Sequence, residues 1–387
     1  MSVSERLRLA ALSELGIVGT SAEERFDRIT RIAKELFHVP IAEINFIDRD
    51  SQFTKSPQRP GGSTRRTPRA DSFCDVVVQQ PDMVVVPDAL EDPRFASRGT
   101  VTGTPHVRFY AGRPLSLAEG VRVGTICLVD TEPRVLDSEE ADLLDELGLW
   151  VERELRDIRA TATAAATQKS LLPEPLQLRA GYSFAGYSQA YFDVAGDYFA
   201  WDEVDGRVDV TLADVMGKGP AAAIVASAIR SAFQARPREA PAEAVDAVNE
   251  QLLRDFSTIG TFATLFRARV DTTTGAVEYA DAGHGLTLVV RSDGSCERLS
   301  TLDLPLGISG DAAWEAHSTR LGPGDLLLSC TDGALDLFDG TLDALDRLAA
   351  LVRAHPLDDG FFADVAALVA EAAPEDDVTV VVIRRDH

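Results

Sequence analysis

A single helical pattern, running from Asp137 to about Lys169, divides this chain more decisively than any other feature of its sequence. It opens on an Asp-x-x-Glu capping box at Asp137 and Glu140. Apolar residues at Leu144, Leu147, Val151, Leu155 and Ile158 keep to one side, continued more weakly by Ala162 and Ala165. Leu171-Leu172-Pro173 ends the pattern and Pro175 marks the boundary. Such a stripe either packs back on its own domain or pairs with a helix of a second chain. Helices this long are uncommon inside small domains, so the expectation is a signalling helix that makes a homodimer. One hydrophobic core stops growing near about 250 residues, so 387 residues imply two domains. The boundaries read are 1–155 for the first domain, 156–174 for the helical linker and 175–387 for the second.

The first domain alternates periods. Phe26, Ile29, Ile32, Ala33 and Leu36 fall at helical spacing, and the segment from Pro40 to Asp48 turns strand-like at Ile44 and Phe46. A polar loop is expected from Ser56 to Arg69, then short strands at Met83 to Val86, Val107 to Tyr110 and Val121 to Val129. The second domain is strand-rich, with helices expected at Pro220 to Arg236 and Pro241 to Phe256. Its later strands fall at Thr261 to Val270, Ala276 to Ala282, Asp325 to Ser329 and Val378 to Arg384. The whole reads as α+β: a compact α/β module, a long helix, and a sandwich of sheets flanked by helices.

A formal net charge of -24 excludes the electrostatic footprint of nucleic-acid binding and disfavours anionic membrane surfaces. No apolar run approaches the roughly 18 residues of a membrane span, and the opening MSVSERLRLA lacks a signal-peptide core, so a cytoplasmic protein is expected. Cys74, Cys127, Cys296 and Cys330 form neither a CxxC pair nor a zinc spacing, and are read as reduced thiols in cores.

Aspartates stand where strands of the second domain stop or start. Asp197 follows Val194-Ala195-Gly196, Asp214 closes the run from Val208 to Ala213, Asp332 follows Cys330-Thr331, and Asp376-Asp377 precedes Val378 to Ile383. One such residue is ordinarily a turn or cap. Several that converge would raise one another's pKa, and a hard divalent cation would keep them ionised. All-oxygen ligation suits Mg²⁺ or Mn²⁺, whereas zinc would want His or Cys ligands that this sequence does not group. Gly217-Lys218-Gly219 before Pro220 permits close backbone approach at a helix start; Lys218 is either a solvated turn lysine or a phosphate contact.

The blocks VAGDYF (194–199), ADVMGKGPAAA (213–223), FATLFRARVDTTTGAVEYADAGHG (262–285), LGPGDLLLSCTDG (321–333) and DDVTVVVI (376–383) closely resemble, in order, the SpoIIE/RsbU-like branch of the PPM metal-dependent protein phosphatases. QKSLLPEPL (168–176) is similar to that family's opening segment. The resemblance implies an αββα sandwich with a binuclear Mn²⁺/Mg²⁺ centre. By position, Asp214 matches the bridging carboxylate and the Val215 carbonyl a further ligand. Asp332 and Asp376 match the remaining metal aspartates, Asp197 the early Gly-Asp acid, and Asp377 is the fallback for the last pair. Such a centre activates water for in-line attack on phosphorus. His284 is read as a hydrogen-bonded turn residue or, alternatively, the acid for the leaving oxygen. Two departures stand out: Ala195 where the family has glycine, and Met216 where a small residue is usual.

The stretches SFCDVVV (72–78), VVVPDALEDPRF (84–95), VRFYAGRPL (107–115) and GVRVGTICLVDTEPRVL (120–136) resemble a GAF domain, with no asparagine-lysine signature of cyclic-nucleotide binding. The implied protein is a serine/threonine phosphatase governed by a GAF sensor with a possible small-molecule ligand. By resemblance its substrate is a phosphorylated anti-sigma-factor antagonist. The alternative is a pseudophosphatase that docks a regulator; a nucleotide cyclase fails to explain the Thr-Asp-Gly and Asp-Asp-Val-Thr blocks.

Overall fold

The computed structural model describes residues 3–58, 64–174, 176–179, 181–256, 258–299, 301 and 303–387. The chain forms two compact units, Met1–Thr163 and Ala164–His387. Among the described residues no helix is long and apolar enough to cross a membrane.

The first unit is built on a six-stranded antiparallel sheet in the order Arg65–Pro68, Ser51–Gln58, Ile41–Ile47, Val121–Asp130, Phe109–Ala118, Val84–Val86. Strand alternation turns Ala42, Ile44 and Phe46 to one face. There they meet Phe26, Ile29 and Ala33 of helix Glu24–Leu36. The opposite face presents Tyr110 and Cys127 to the short helix Phe73–Val77. The expected polar loop from Ser56 to Arg69 is corrected: it holds the end of one strand and the whole of Arg65–Pro68. Residues 59–63 of that loop, and Pro175 at the expected linker boundary, lie outside the described residues.

The long helix spans Ser138–Leu171. Its capping box is closed: Asp137 N–H donates to Glu140 Oε2 at 3.1 Å and Glu140 N–H to Asp137 Oδ1 at 2.8 Å. Leu144, Leu147, Val151 and Leu155 are buried in the first unit's own core, with Ile158 packed against it. The stripe therefore packs back on its own domain as far as Ile158, and the reading in which it faces a second chain is corrected for that stretch. Arg113 ties the helix down through ion pairs to Asp145 and Glu152. Gly148 sits mid-helix because a Cβ there would lie 2.3 Å from the Arg113 side chain.

The second unit is an αββα sandwich. One sheet runs His317–Arg320, Ala276–Ala282, Ala263–Asp271, Arg207–Val215, Asp197–Val204. The other runs Cys296–Leu299, Thr287–Val290, Leu326–Cys330, Val378–Arg385, Tyr182–Gln189, Leu176–Arg179. Phe199, Val210, Leu212 and Phe266 of the first sheet interdigitate with Phe184, Leu327, Val381 and Ile383 of the second. The alternate residues face outward: Ala213 and Leu265 onto helices Pro220–Gln234 and Pro241–Asp255, Leu328 and Val380 onto helices Ala344–Ala354 and Asp359–Ala372. Period-two patterning thus fills three layers from two sheets. Of the cysteines, Cys74, Cys127 and Cys330 are buried as expected, whereas Cys296 is exposed, on a short strand whose outer residues meet solvent.

Candidate metal centre

Antiparallel pairing brings the scattered aspartates together. Asp197 begins one strand, Asp214 nears the end of its neighbour, and the two are direct cross-strand partners. Like charges so placed repel. In the facing sheet Cys330 pairs with Val380, so Asp332, just past one strand, and Asp376-Asp377, just before the other, share an end. Thr331 ties the two sheets: its hydroxyl donates to Asp197 Oδ2 at 2.7 Å and accepts Thr379 N–H at 2.9 Å.

The electrostatics follow from burial and crowding. Asp197 is 3% exposed; burial, then the Asp214 charge, pushes its carboxyl well above the usual range. Burial and then the charges of Asp332, Asp376 and Asp377 push Asp214 up to about 7. Asp332 is raised by burial and by Asp376. Lys218 relieves part of this repulsion, with Nζ 3.1 Å from Asp376 Oδ2, a hydrogen bond to the Glu375 carbonyl, and the Tyr191 ring centroid 4.7 Å away.

The two adjacent aspartates divide their work. Asp377 accepts the backbone N–H of Tyr191 at 2.7 Å and of Gly196 at 2.6 Å, one on each oxygen, so it holds the loop leading into Asp197. Asp376 is the one that pairs with Lys218. Gly333 allows the chains this close, since a Cβ there would lie 2.3 Å from the Asp377 carbonyl oxygen. Val215 is buried beside Ala263, and its carbonyl oxygen stands against Gly196, 3.0 Å from where a Cβ would be. Gly219, at φ +75°, leads into Pro220 and the helix that starts there.

Two participants escaped the sequence reading. Thr331 looked like the tail of an apolar strand. Gln168, in the last turns of the long helix, grips Ala195 at both ends: Nε2 donates to the Ala195 carbonyl at 2.7 Å, and Ala195 N–H donates to Oε1 at 2.9 Å. The similarity of QKSLLPEPL to a family segment was the available signal, but it carried no role. His284 is buried, its backbone N–H donates to Asp281 at 2.7 Å, and its Nε2 lies 3.1 Å from Ser329 Oγ. Burial lowers its pKa to about 4, which favours the uncharged ring at neutral pH. The hydrogen-bonded turn residue is the reading that fits.

Among the described residues no three His, Cys, Asp or Glu side chains already close into a coordination shell. The donor set nevertheless fits hard divalent cations: carboxylates that raise one another's pKa, no imidazole or thiolate among them, and a lysine ammonium already seated on one.

The family model described as Stage II sporulation protein E (SpoIIE) matches residues 204–386, and that of the GAF domain matches residues 21–155. The first range contains Asp214, Asp332 and Asp376, and Asp197 stands just before it. A cyclic di-GMP phosphodiesterase of Pseudomonas aeruginosa is 36% identical over 158 residues, 41% of this chain but only 27% of that protein's length. The phosphoserine phosphatase RsbU of Bacillus subtilis is 25% identical over 232 residues, covering 57% of this chain and 69% of the relative. The SiaA-PP2C domain of Pseudomonas aeruginosa is alike in fold, with a TM-score of 0.50 at 21% identity over 60% of this chain and 98% of that one.

Proposed function

Since this chain joins a GAF domain to a SpoIIE-type, RsbU-like domain of the PPM phosphatases, we propose that it hydrolyses phosphoserine and phosphothreonine on a partner protein in a metal-dependent reaction. The observation that carries this reading is the meeting of Asp197, Asp214, Asp332 and Asp376 at one edge of the sandwich. Asp214, Asp332, Asp376 and the Val215 carbonyl are the proposed ligands, with Asp197 completing the set. Mn²⁺ or Mg²⁺ held there would supply a water of lowered pKa and would neutralise charge on the phosphoryl oxygens.

The chain's own residues do the positioning. Thr331 fixes the Asp197 carboxylate, and Asp377 fixes the loop before it. Lys218, seated on Asp376, is the cation proposed to contact a phosphate oxygen. Tyr191, Phe192, Met216 and Ile224 are exposed on the loops and helix start that carry Asp197 and Asp214, and an apolar rim of this kind suits a protein surface better than a small metabolite. The substrate proposed is a phosphorylated anti-sigma-factor antagonist. The GAF domain acts through the long helix, whose Gln168 grips the residue two before Asp197. The homodimer proposed uses the helix beyond Ile158, where the first unit's core no longer claims it.

The test is hydrolysis of a phosphoserine peptide and of p-nitrophenyl phosphate by the full chain with Mn²⁺. Turnover is expected to vanish with EDTA and with Asp332→Ala, the circular dichroism staying native. Turnover that survives both refutes the proposal.

A further inference from the structure

Cys74 and Cys127 lie 53 positions apart by their numbers in the sequence yet come together in the first unit, in one buried cluster where a single side-chain amide, that of Asn45, reaches both sulfurs. They line a cavity of about 250 Å³ together with Asn45, Gln52 and Tyr110. That volume admits a molecule several times the size of water.

The surroundings are not those of inert core thiols. Asn45 is fully buried, and its Oδ1 accepts from Gln52 Nε2 at 2.9 Å and Thr54 Oγ1 at 2.6 Å. Those two donors fix the amide, so its NH₂ is turned to the sulfurs, 3.3 Å from Cys127 Sγ and 3.6 Å from Cys74 Sγ, with Glu43 Oε2 at 3.4 Å. The buried Tyr110 hydroxyl donates to Cys74 Sγ at 3.4 Å. Its approach depends on Gly112, where a Cβ would lie 2.2 Å from that hydroxyl. A neutral thiol is a weak acceptor, and burying amide and phenol donors against it is costly. A thiolate satisfies the same donors well.

We propose that Cys74 and Cys127 form a peroxide-reactive dithiol, oxidised together to a disulfide within this cavity. The Cys74 thiolate attacks the peroxide O–O bond, giving Cys74 sulfenic acid and releasing hydroxide. The Cys127 sulfur then attacks the Cys74 sulfur and displaces its hydroxyl, which leaves with the Cys127 thiol proton as water; the hydroxide of the first step takes the proton that Cys74 gave up, so overall two thiols and one hydrogen peroxide give one disulfide and two waters. The order of attack follows the environments. Burial and the Glu43 charge work against Cys74 ionising, while the Tyr110 hydroxyl donates to its sulfur, and the balance brings that thiol below its ordinary range. Cys127 is pushed well above its own by the neighbouring Cys74 and by burial. The product ties helix Phe73–Val77 to strand Val121–Asp130.

The experiment treats the reduced full-length protein with equimolar hydrogen peroxide and maps its cysteines by mass spectrometry. A Cys74–Cys127 linked peptide is expected, reversed by dithiothreitol and formed before exposed Cys296 is modified. Cys127→Ser is expected to stop at a Cys74 sulfenic acid trapped by dimedone, and Tyr110→Phe to slow the linkage about tenfold with the fold intact. The idea is overturned if Cys296 oxidises while Cys74 and Cys127 stay reduced, or if Cys127→Ser yields no dimedone adduct on Cys74.

Discussion

Replacing Thr331 by valine removes one hydroxyl and leaves the shape nearly unchanged, which makes it a clean probe of how the sheets are held at the acidic edge. The hydroxyl serves two buried partners: it donates to Asp197 Oδ2 at 2.7 Å and accepts Thr379 N–H at 2.9 Å. Thr331 is 1% exposed and Thr379 fully buried, so water cannot replace either bond. A hydrogen bond that does not rely on a full charge contributes about 0.5–1.5 kcal/mol, and an orphaned buried donor costs about 1–3 kcal/mol. Allowing for partial relaxation, Thr331→Val is expected to destabilise the second unit by about 3 kcal/mol. Urea unfolding of the full chain followed by tryptophan fluorescence reads this, because two of the three tryptophans, Trp201 and Trp314, belong to that unit, Trp150 lying in the first. Thr331→Ser, which keeps the hydroxyl, is expected to restore most of the loss. A valine variant within about 0.5 kcal/mol of the parent refutes the reasoning, because it would mean that the hydroxyl couples nothing.

Three further outcomes are expected. Gly333→Ala places a Cβ 2.3 Å from the Asp377 carbonyl, so chemical denaturation should show a loss of about 2 kcal/mol. His284 has a folded pKa of about 4, below its unfolded 6.5. The unfolded chain therefore binds the extra proton between those values, and stability is lost as pH falls through that window, by up to about 3 kcal/mol. In His284→Asn that loss disappears, so the gap between variant and parent urea midpoints should shift in the variant's favour from pH 7 to pH 4. Nearby Asp281, raised to about 6 by burial, acts with the opposite sign in both proteins and drops out of the comparison. Gln168→Ala breaks both bonds to Ala195 and is expected to lower phosphatase turnover about tenfold with little change in stability; unchanged turnover would sever the link between helix and loop.

Much of this was legible because the signals were local. The capping box at Asp137 and Glu140 needs only its own residues, and the near-continuous apolar run in Val378–Arg385 declares a strand buried on both faces. The aspartates were legible as strand-end residues, and family resemblance ordered them. What the pattern cannot carry is the partner across space. Periodicity marked the buried side of the long helix but not whose core receives it, and Leu144 to Ile158 turned out to face their own domain. Neighbouring Asp376 and Asp377 look equivalent in sequence; the backbone donors of Tyr191 and Gly196 decide between them. Thr331, Gln168 and the Cys74–Cys127 pair all act through groups distant in the chain, where spacing is silent.

Equilibrium binding of Mn²⁺ to the metal-free full chain, followed by calorimetry, tests the central claim most directly. Two ions per chain are expected, with Asp214→Asn losing both in a protein that remains folded. Failure of the parent to bind Mn²⁺, or an Asp214→Asn variant that binds it as well as the parent, contradicts the account.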